Sequence, residues 1–345
     1  MTELELDDPQ PGELLVRVDA ASVCHSDLSV VSGVRPRPVP MLLGHEAAGT
    51  IVEAGEGTSL PVGQRVVLTF LPRCGECAAC RTGGRAPCEP GSVANGAGVL
   101  LAGGSRLRGP QGSVHHHLGV SGFADHAVVD ERSVVPVDHE VPPDVAALLG
   151  CAVLTGGGAV LNSAGLEPGQ SLAVVGLGGV GLSAVLTGMA LGAGSVTAID
   201  IQPGKLATAR ELGVDAALTP LEAIESGLRA DILVEAVGRA SALEQAMTLT
   251  APGGRTVTVG LPAPTERAAL SPVELVSKGA AVVGSYLGGS VPRRDIPRFV
   301  DLWRAGRLPV EKLMSARIAL DDINEAMDDL AAGRQIRQLI TFDHH

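Results

Sequence analysis

Aromatic residues are scarce. One Trp, one Tyr and four Phe make up 2% of 345 residues, so single-stranded nucleic acid finds no row of rings on which to stack. The core, and any pocket inside it, is expected to be aliphatic and rich in glycine. Positive charge is also in short supply: 26 Lys and Arg stand against 38 Asp and Glu, for a net charge of −12. A phosphate backbone needs a basic surface to displace its counterions, and nucleic acid is therefore excluded as a partner.

The start of the chain shows no basic stretch followed by an apolar run and a small-residue cleavage site. The expected location is the cytoplasm, where thiols stay reduced and six cysteines point to metal binding before disulfides. Charge disappears from Pro168 to Ile199, an apolar stretch with a Gly188-x-x-x-Gly192 pattern that imitates a membrane helix. Gly176, Gly178, Gly179, Gly181, Gly192 and Gly194 divide it into a short strand, a turn and a buried helix, so no membrane partner is expected.

What is present organises itself in two textures. At 345 residues the chain exceeds the ~250 to 300 at which one core stops growing, which predicts two domains. The first 150 residues read as short β runs, such as Glu13 to Val18 and Gly63 to Thr69, between Pro and Gly turns, and predict an antiparallel all-β unit. From Leu172 strand and helix alternate, with strands at Leu172 to Val175, Val196 to Ile199, Ile232 to Glu235, Thr256 to Val259 and Ala281 to Ser285. That alternation predicts a parallel sheet. Helices follow at Asp295 to Ala305 and at Asp321 to Ala332, with Asp321 as cap, before a closing strand Gln338 to Phe342. Gly96 to Gly104 follows no strand and reads as loop.

Four cysteines fall in one short segment, Cys74-x2-Cys77-x2-Cys80-x7-Cys88. Four thiolates at ~2.3 Å complete a tetrahedral zinc site, which leaves no position for substrate and predicts a structural metal. Arg73, Arg81 and Arg85 are expected to offset its negative charge. The other two, Cys24 and Cys151, are distant, with Gly44-His45-Glu46 between them. Two thiolates and one neutral imidazole would balance Zn²⁺ and keep a fourth position open for an alcohol oxygen. Taken singly, His45 reads as a hydrogen-bonded structural histidine, and Cys24 and Cys151 as small buried hydrophobes, before any of them reads as a metal ligand.

Gly176-Leu-Gly178-Gly-Val-Gly181 follows an apolar run and opens a helical stretch, the context in which glycines let a pyrophosphate approach a helix N-terminus. Asp200 ends the next strand near the expected ~20-residue spacing, where a carboxylate accepts from ribose hydroxyls and repels a 2′-phosphate, which favours NAD over NADP. Close helix-to-sheet packing and a strand-end cap are the plain alternatives for these residues.

Cys24-His-Ser-Asp27, Gly44-His-Glu46, the four-cysteine loop, Cys151 and Gly176 to Gly181 resemble, in order and spacing over nearly the whole chain, the zinc-containing medium-chain alcohol dehydrogenases. The resemblance implies an α/β protein with a GroES-like β-rich catalytic domain over 1–152, a Rossmann doubly wound domain over 153–286, and a return to the catalytic domain over 287–345. It implies two zinc ions and NAD as cofactors. The catalytic zinc would be held by Cys24, His45 and Cys151, with Glu46 as alternate or supporting ligand and Asp27 orienting His45. Ser26 would bond the alcohol and start a proton relay. His25 and Arg337 would contact the pyrophosphate and Lys205 the adenosine ribose, while Thr155, Val180 and Val259 would pack near the nicotinamide. Phe70 and His117 would line the substrate pocket, and the run His115 to His117 is not expected to form a third metal site.

The same resemblance implies a small alcohol or aldehyde as substrate and a homodimer or homotetramer joined through the strand at Ala281 to Tyr286. The sequence departs from the family at Ser29, where relatives often carry the histidine that ends the relay. Relatives also have roughly twenty more residues ahead of the segment equivalent to Glu3 to Asp8. Besides reversible alcohol oxidation, thiol-dependent formaldehyde oxidation and reduction of a biosynthetic imine or enone suit the scaffold. A noncatalytic NAD-binding protein would need zinc only at the four-cysteine loop.

Overall fold

The computed structural model describes residues 2–84 and 86–342. Arg85, assigned above to charge balance, lies outside the described residues. The chain divides into two units, one made of residues up to 151 with 291–297 and the segment from 310 onward, the other of 152–290 with 298–309.

The first unit is organised by strand Glu13–Ser22, whose residues Leu14, Val16 and Val18 are fully buried. Each such side chain contributes about 1.5–3 kcal/mol of burial. The strand pairs antiparallel with Ala47–Ala54, His126–Asp130 and Gln338–Thr341, so the C-terminus closes the sheet that the N-terminus opened. Its neighbours extend the main sheet to seven strands, and a second, four-stranded sheet joins Glu5–Leu6, Leu107–Gly109, Gly112–His116 and Met41–Leu42.

The expectation of a purely antiparallel, all-β unit is corrected in two respects. Met41–Leu42 runs parallel to Gly112–His116, because a long connection lets the chain cross over between them. Helices also intervene: His25–Val31, Ala78–Arg81 and Glu89–Ala97. The last overlaps the loop expected over Gly96 to Gly104 at its first two residues only: Cys88 caps the helix, Gly98, at φ 70°, ends it, and the rest of that stretch is irregular. The C-terminal helix is Ile323–Ala331, and the side chain that reaches back to its entry is that of Asp322, which accepts from Ala319 N–H, in place of Asp321.

The second unit is built on a six-stranded parallel sheet. Its strands, numbered within this sheet, are β1 Ser171–Val175, β2 Ser195–Ile199, β3 Ala216–Leu218, β4 Ala230–Glu235, β5 Thr250–Thr258 and β6 Ala281–Gly284, in spatial order β3-β2-β1-β4-β5-β6. β3 was not foreseen, because three residues carry too little pattern. The apolar stretch from Pro168 resolves into β1, helix Gly179–Ala190 and β2, as the glycines predict.

Among the described residues, the helical segment long and apolar enough to resemble a span is instead Pro143–Ala164, and most of it is buried. Gly156 to Gly158 lie in it, and a Cβ at Gly157 would stand 2.7 Å from the ring of Phe299. Phe299 is fully buried, and Arg307 bonds the Ala190 carbonyl. These contacts draw 298–309 into the second unit, which corrects the expectation that 287–345 returns to the first as one block.

Candidate functional site

The four-cysteine loop folds as its spacing predicts. Gly75 takes φ 85°, turning the chain so that Cys77 N–H and Glu76 N–H point at Cys74 Sγ, 3.3 and 3.4 Å away. Cys74 N–H and Gly91 N–H point likewise at Cys88 Sγ. All four sulfurs lie within 4.8 Å of one another. Backbone N–H groups of Cys80 and Glu89 bring the Cys77 thiol down to about 6, whereas burial pushes Cys88 up to about 12. Arg73 braces the loop through the carbonyls of Gly84 and Ala86. A cation that feels the thiols is Arg132, which is held chiefly by Asp130 and was not foreseen from the sequence.

Cys24, His45 and Cys151 converge although they come from three separate elements. Cys24 caps helix His25–Val31 immediately after the long strand. His45 follows Gly44, whose φ of 92° excludes a side chain; a Cβ there would stand 2.5 Å from Phe123 N. Cys151 sits in a wide helical turn, Leu149–Val153, of the kind that often marks functional sites. The three ligand atoms lie within 4.8 Å of one another, and each residue is at most 5% exposed.

Charge at this cluster is closely arranged. Asp27 is fully buried, accepts Gly44 N–H at 3.0 Å, and lies 3.1 Å from His45 Nδ1. That contact turns Nε2 inward, where it is buried and finds no hydrogen-bond partner among the described residues. Cys24 is held well below the usual thiol range, first by the bond from the Cys151 thiol and then by Arg337 and His45, against the effect of burial. Cys151 is pushed up because it donates that bond and is itself buried. Burial opposes protonation of His45, yet Asp27 and the Cys24 thiolate together raise it. A divalent cation suits this donor set: it would replace the proton shared by the two sulfurs and meet the imidazole nitrogen that faces them.

Glu46 and Arg337 are the surprise. Their side chains are 3.1 Å apart, Arg337 also donates to the Val23 carbonyl at 3.2 Å, and both are buried. The structure thus places Arg337, implied above for a pyrophosphate, among Cys24, Cys151 and Glu46, where their negative charge raises its affinity for its proton.

His117 and Phe70 both touch His45 edge to face, at 5.4 and 5.5 Å between ring centres. His117 Nδ1 is 3.0 Å from Asp27 Oδ1, so one carboxylate serves two imidazoles, a contact the sequence did not signal. The grouping Asp27, His45 and His117 shares His45 with the cysteine centre. His116 faces elsewhere: its Nε2 accepts Arg106 N–H at 3.1 Å, and burial with the charge of Arg106 brings it down to about 4. Ser26 is half-buried and His25 exposed, and the Ser29 hydroxyl is turned to the His25 carbonyl at 2.8 Å.

In the second unit Gly176 has φ 91°, and a Cβ at Gly181 would overlap the Gly176 carbonyl. At Gly178 a Cβ would meet nothing within 4 Å, so the backbone before helix Gly179–Ala190 is open to a ligand. That combination fits a pyrophosphate at a helix N-terminus. Asp200 ties the loop to β2 by accepting Leu177 N–H at 2.7 Å and Gln202 N–H at 2.9 Å. Lys205 lies in the first turn of helix Pro203–Leu212; Val180 is half-buried, and Thr155 and Val259 are buried. Sequence reasoning passed over Glu235, at the end of β4, which is 1% exposed.

A model described as the alcohol dehydrogenase GroES-like domain matches residues 10–139, and one described as zinc-binding dehydrogenase matches 179–304. The class-3 alcohol dehydrogenase of Myxine glutinosa is 36% identical over an alignment of 354 residues, covering 99% of this chain and 93% of that protein. Among solved structures, an alcohol dehydrogenase zinc-binding domain protein from Burkholderia ambifaria superposes with a TM-score of 0.93 at 34% identity, covering 99% and 94% of the two chains. Benzyl alcohol dehydrogenase from Acinetobacter calcoaceticus gives 0.92 at 32%, with the same coverage.

Proposed function

Because the chain belongs to the zinc-containing medium-chain alcohol dehydrogenase family, whose members are oxidoreductases acting on alcohols, we propose that it is a zinc-dependent, NAD-linked enzyme interconverting an alcohol with its aldehyde or ketone. The observation that carries this reading is the convergence of Cys24, His45 and Cys151 around a buried, unpartnered imidazole nitrogen. Zinc would be held there by the two sulfurs and His45 Nε2, and a second zinc by Cys74, Cys77, Cys80 and Cys88. When bound, the groups supply a Lewis acid that acidifies the substrate hydroxyl and a nicotinamide that accepts hydride.

The protein's own residues do the rest. Asp27 keeps His45 in the tautomer that presents Nε2 inward. Arg337 offsets the anionic charge of Cys24, Cys151 and Glu46, so that the cluster tolerates burial. Ser26 takes the hydroxyl proton of the substrate. Ser29 is occupied by the His25 carbonyl, so the proton leaves by His25 or water. Asp200 accepts from the adenosine ribose and repels a 2′-phosphate, which selects NAD. The six free thiols suit a reducing cytoplasm, and edge strand β6 suits pairing with a second copy in a dimer or tetramer.

Metal analysis combined with a panel of alcohols, benzyl alcohol included, tests the reading. Two zinc ions per chain and growth of reduced-nicotinamide absorbance are expected. One zinc per chain, bound by the four-cysteine loop, with no turnover would favour the noncatalytic alternative. Formaldehyde assayed with and without several thiols separates the two remaining enzymatic alternatives, thiol-dependent formaldehyde oxidation and imine or enone reduction.

A further inference from the structure

A buried carboxylate outside the metal sites lies at the point where the sheet's strand order reverses. In the order β3-β2-β1-β4-β5-β6 that reversal falls between β1 and β4, and dinucleotides bind outside the carboxyl ends of the strands at such a point. Glu235 is the last residue of β4 and pairs in register with Val175, the residue before the glycine turn. Asp200, directly after β2, belongs to the adenosine side, so β4 and β5 floor the nicotinamide side.

The surroundings of Glu235 are those of an anion. Oε1 accepts Val237 N–H and Gly238 N–H, both at 2.7 Å, and Oε2 accepts the Thr258 hydroxyl at 2.6 Å. Three donors and no acceptor surround it, and among the described residues no lysine, arginine or histidine pairs with it. Its side chain is 1% exposed, so water screens its charge poorly. The loop it holds touches the cofactor turn directly: a Cβ at Gly176 would stand 2.7 Å from the Val237 side chain, and one at Gly260 would overlap Gly238.

We propose that Glu235 is a positioning residue whose charge, paired with no cation among the described residues, shifts the balance of the dinucleotide site towards the oxidised cofactor. The proposal rests on the NAD reading above. Oxidised and reduced nicotinamide differ by one positive charge on the ring, so an anion held under that half of the cleft discriminates between them. A neutral residue holding the same loop would not.

The test measures equilibrium binding of NAD⁺ and NADH by calorimetry to the zinc-loaded protein and its variants, without substrate. Glu235→Gln keeps the shape and the acceptor for both N–H groups but removes the charge. It is expected to raise the ratio of the NAD⁺ to the NADH dissociation constant roughly three- to tenfold. Val237→Lys sets a cation beside the carboxylate from a position that is 46% exposed, and is expected to move the ratio the same way even should the glutamine variant fail to fold. Thr258→Val loosens the carboxylate without changing charge, and is expected to leave the ratio near that of the parent. An unchanged ratio in the folded charge variants, with both forms weakened equally, overturns the proposal and leaves Glu235 a loop fastener. A parent protein that binds neither dinucleotide overturns the NAD reading, and this inference with it.

Discussion

The two cysteine clusters are built in opposite ways for the one task proposed for both, holding a dication. The four-thiol loop spans residues 74 to 88, orients its sulfurs with its own backbone N–H groups, and lies partly in solvent. The Cys24, His45 and Cys151 centre gathers residues 127 positions apart, 151 minus 24, and is wholly buried. A closed local site needs only its turn geometry. An open buried site needs a supporting shell to orient its imidazole and balance its charge, and Asp27, Glu46 and Arg337 are that shell.

The largest expected effect breaks the comparison at its catalytic end. Cys24→Ala removes one ligand of the open site, and turnover is expected to fall by about 10³-fold or more while one zinc per chain stays bound. Metal content and rate measured on the same sample decide it, and a variant that retains both zinc ions and its rate would remove Cys24 from the chemistry.

Next in size is the support. Asp27→Asn keeps the shape but removes the charge that holds His45 Nδ1, and zinc affinity at the open site is expected to fall about 10- to 100-fold. Competition with a chelating dye reads this directly, and the four-thiol zinc serves as internal control. If both zinc ions loosen together, Asp27 acts on the fold as a whole.

At the closed site the expected loss is of stability. Cys77→Ser leaves three thiols and is expected to lower unfolding free energy by about 3 kcal/mol, with the rate per folded molecule changed less than threefold. Denaturant midpoints and rates at low temperature test it; a rate loss as large as that of Cys24→Ala would erase the division of labour.

How much of this was legible depended on whether a signal was local. The four-cysteine spacing and the Gly176 to Gly181 turn lie within single short segments, and the structure folds both as their patterns require. Cys24, His45 and Cys151 carry no local signal and were joined only by resemblance. Asp27 was anticipated beside His45, but its second imidazole, His117, was not, because nothing near residue 117 records what a side chain 90 positions earlier will face. Arg337 shows the same limit: a lone cation near the end of the chain gives no hint that a returning strand carries it to Glu46. Helix Glu89–Ala97 was hidden by its glycines, which argue for loop until Cys88 is seen to cap it.

The smallest expected effect sharpens the contrast by using a histidine that neither centre employs. His116 is buried and accepts Arg106 N–H at Nε2, so the folded protein holds it neutral, with its pKa lowered from 6.5 to about 4 by burial and by Arg106. The unfolded chain binds a proton there already near pH 6.5, so between that value and about 4 unfolding takes up a proton. The contribution of His116 is therefore complete above the unfolded value and is lost as pH falls towards the folded one. About 2 kcal/mol is expected to disappear between pH 7 and pH 5. His116→Gln keeps a side-chain acceptor for Arg106 but does not titrate, so its denaturant midpoint should fall less than that of the parent over the same interval. Equal slopes would show that the acid sensitivity of the first unit comes from elsewhere, with competition by protons for the sulfur and imidazole groups of the proposed metal sites as the first place to look.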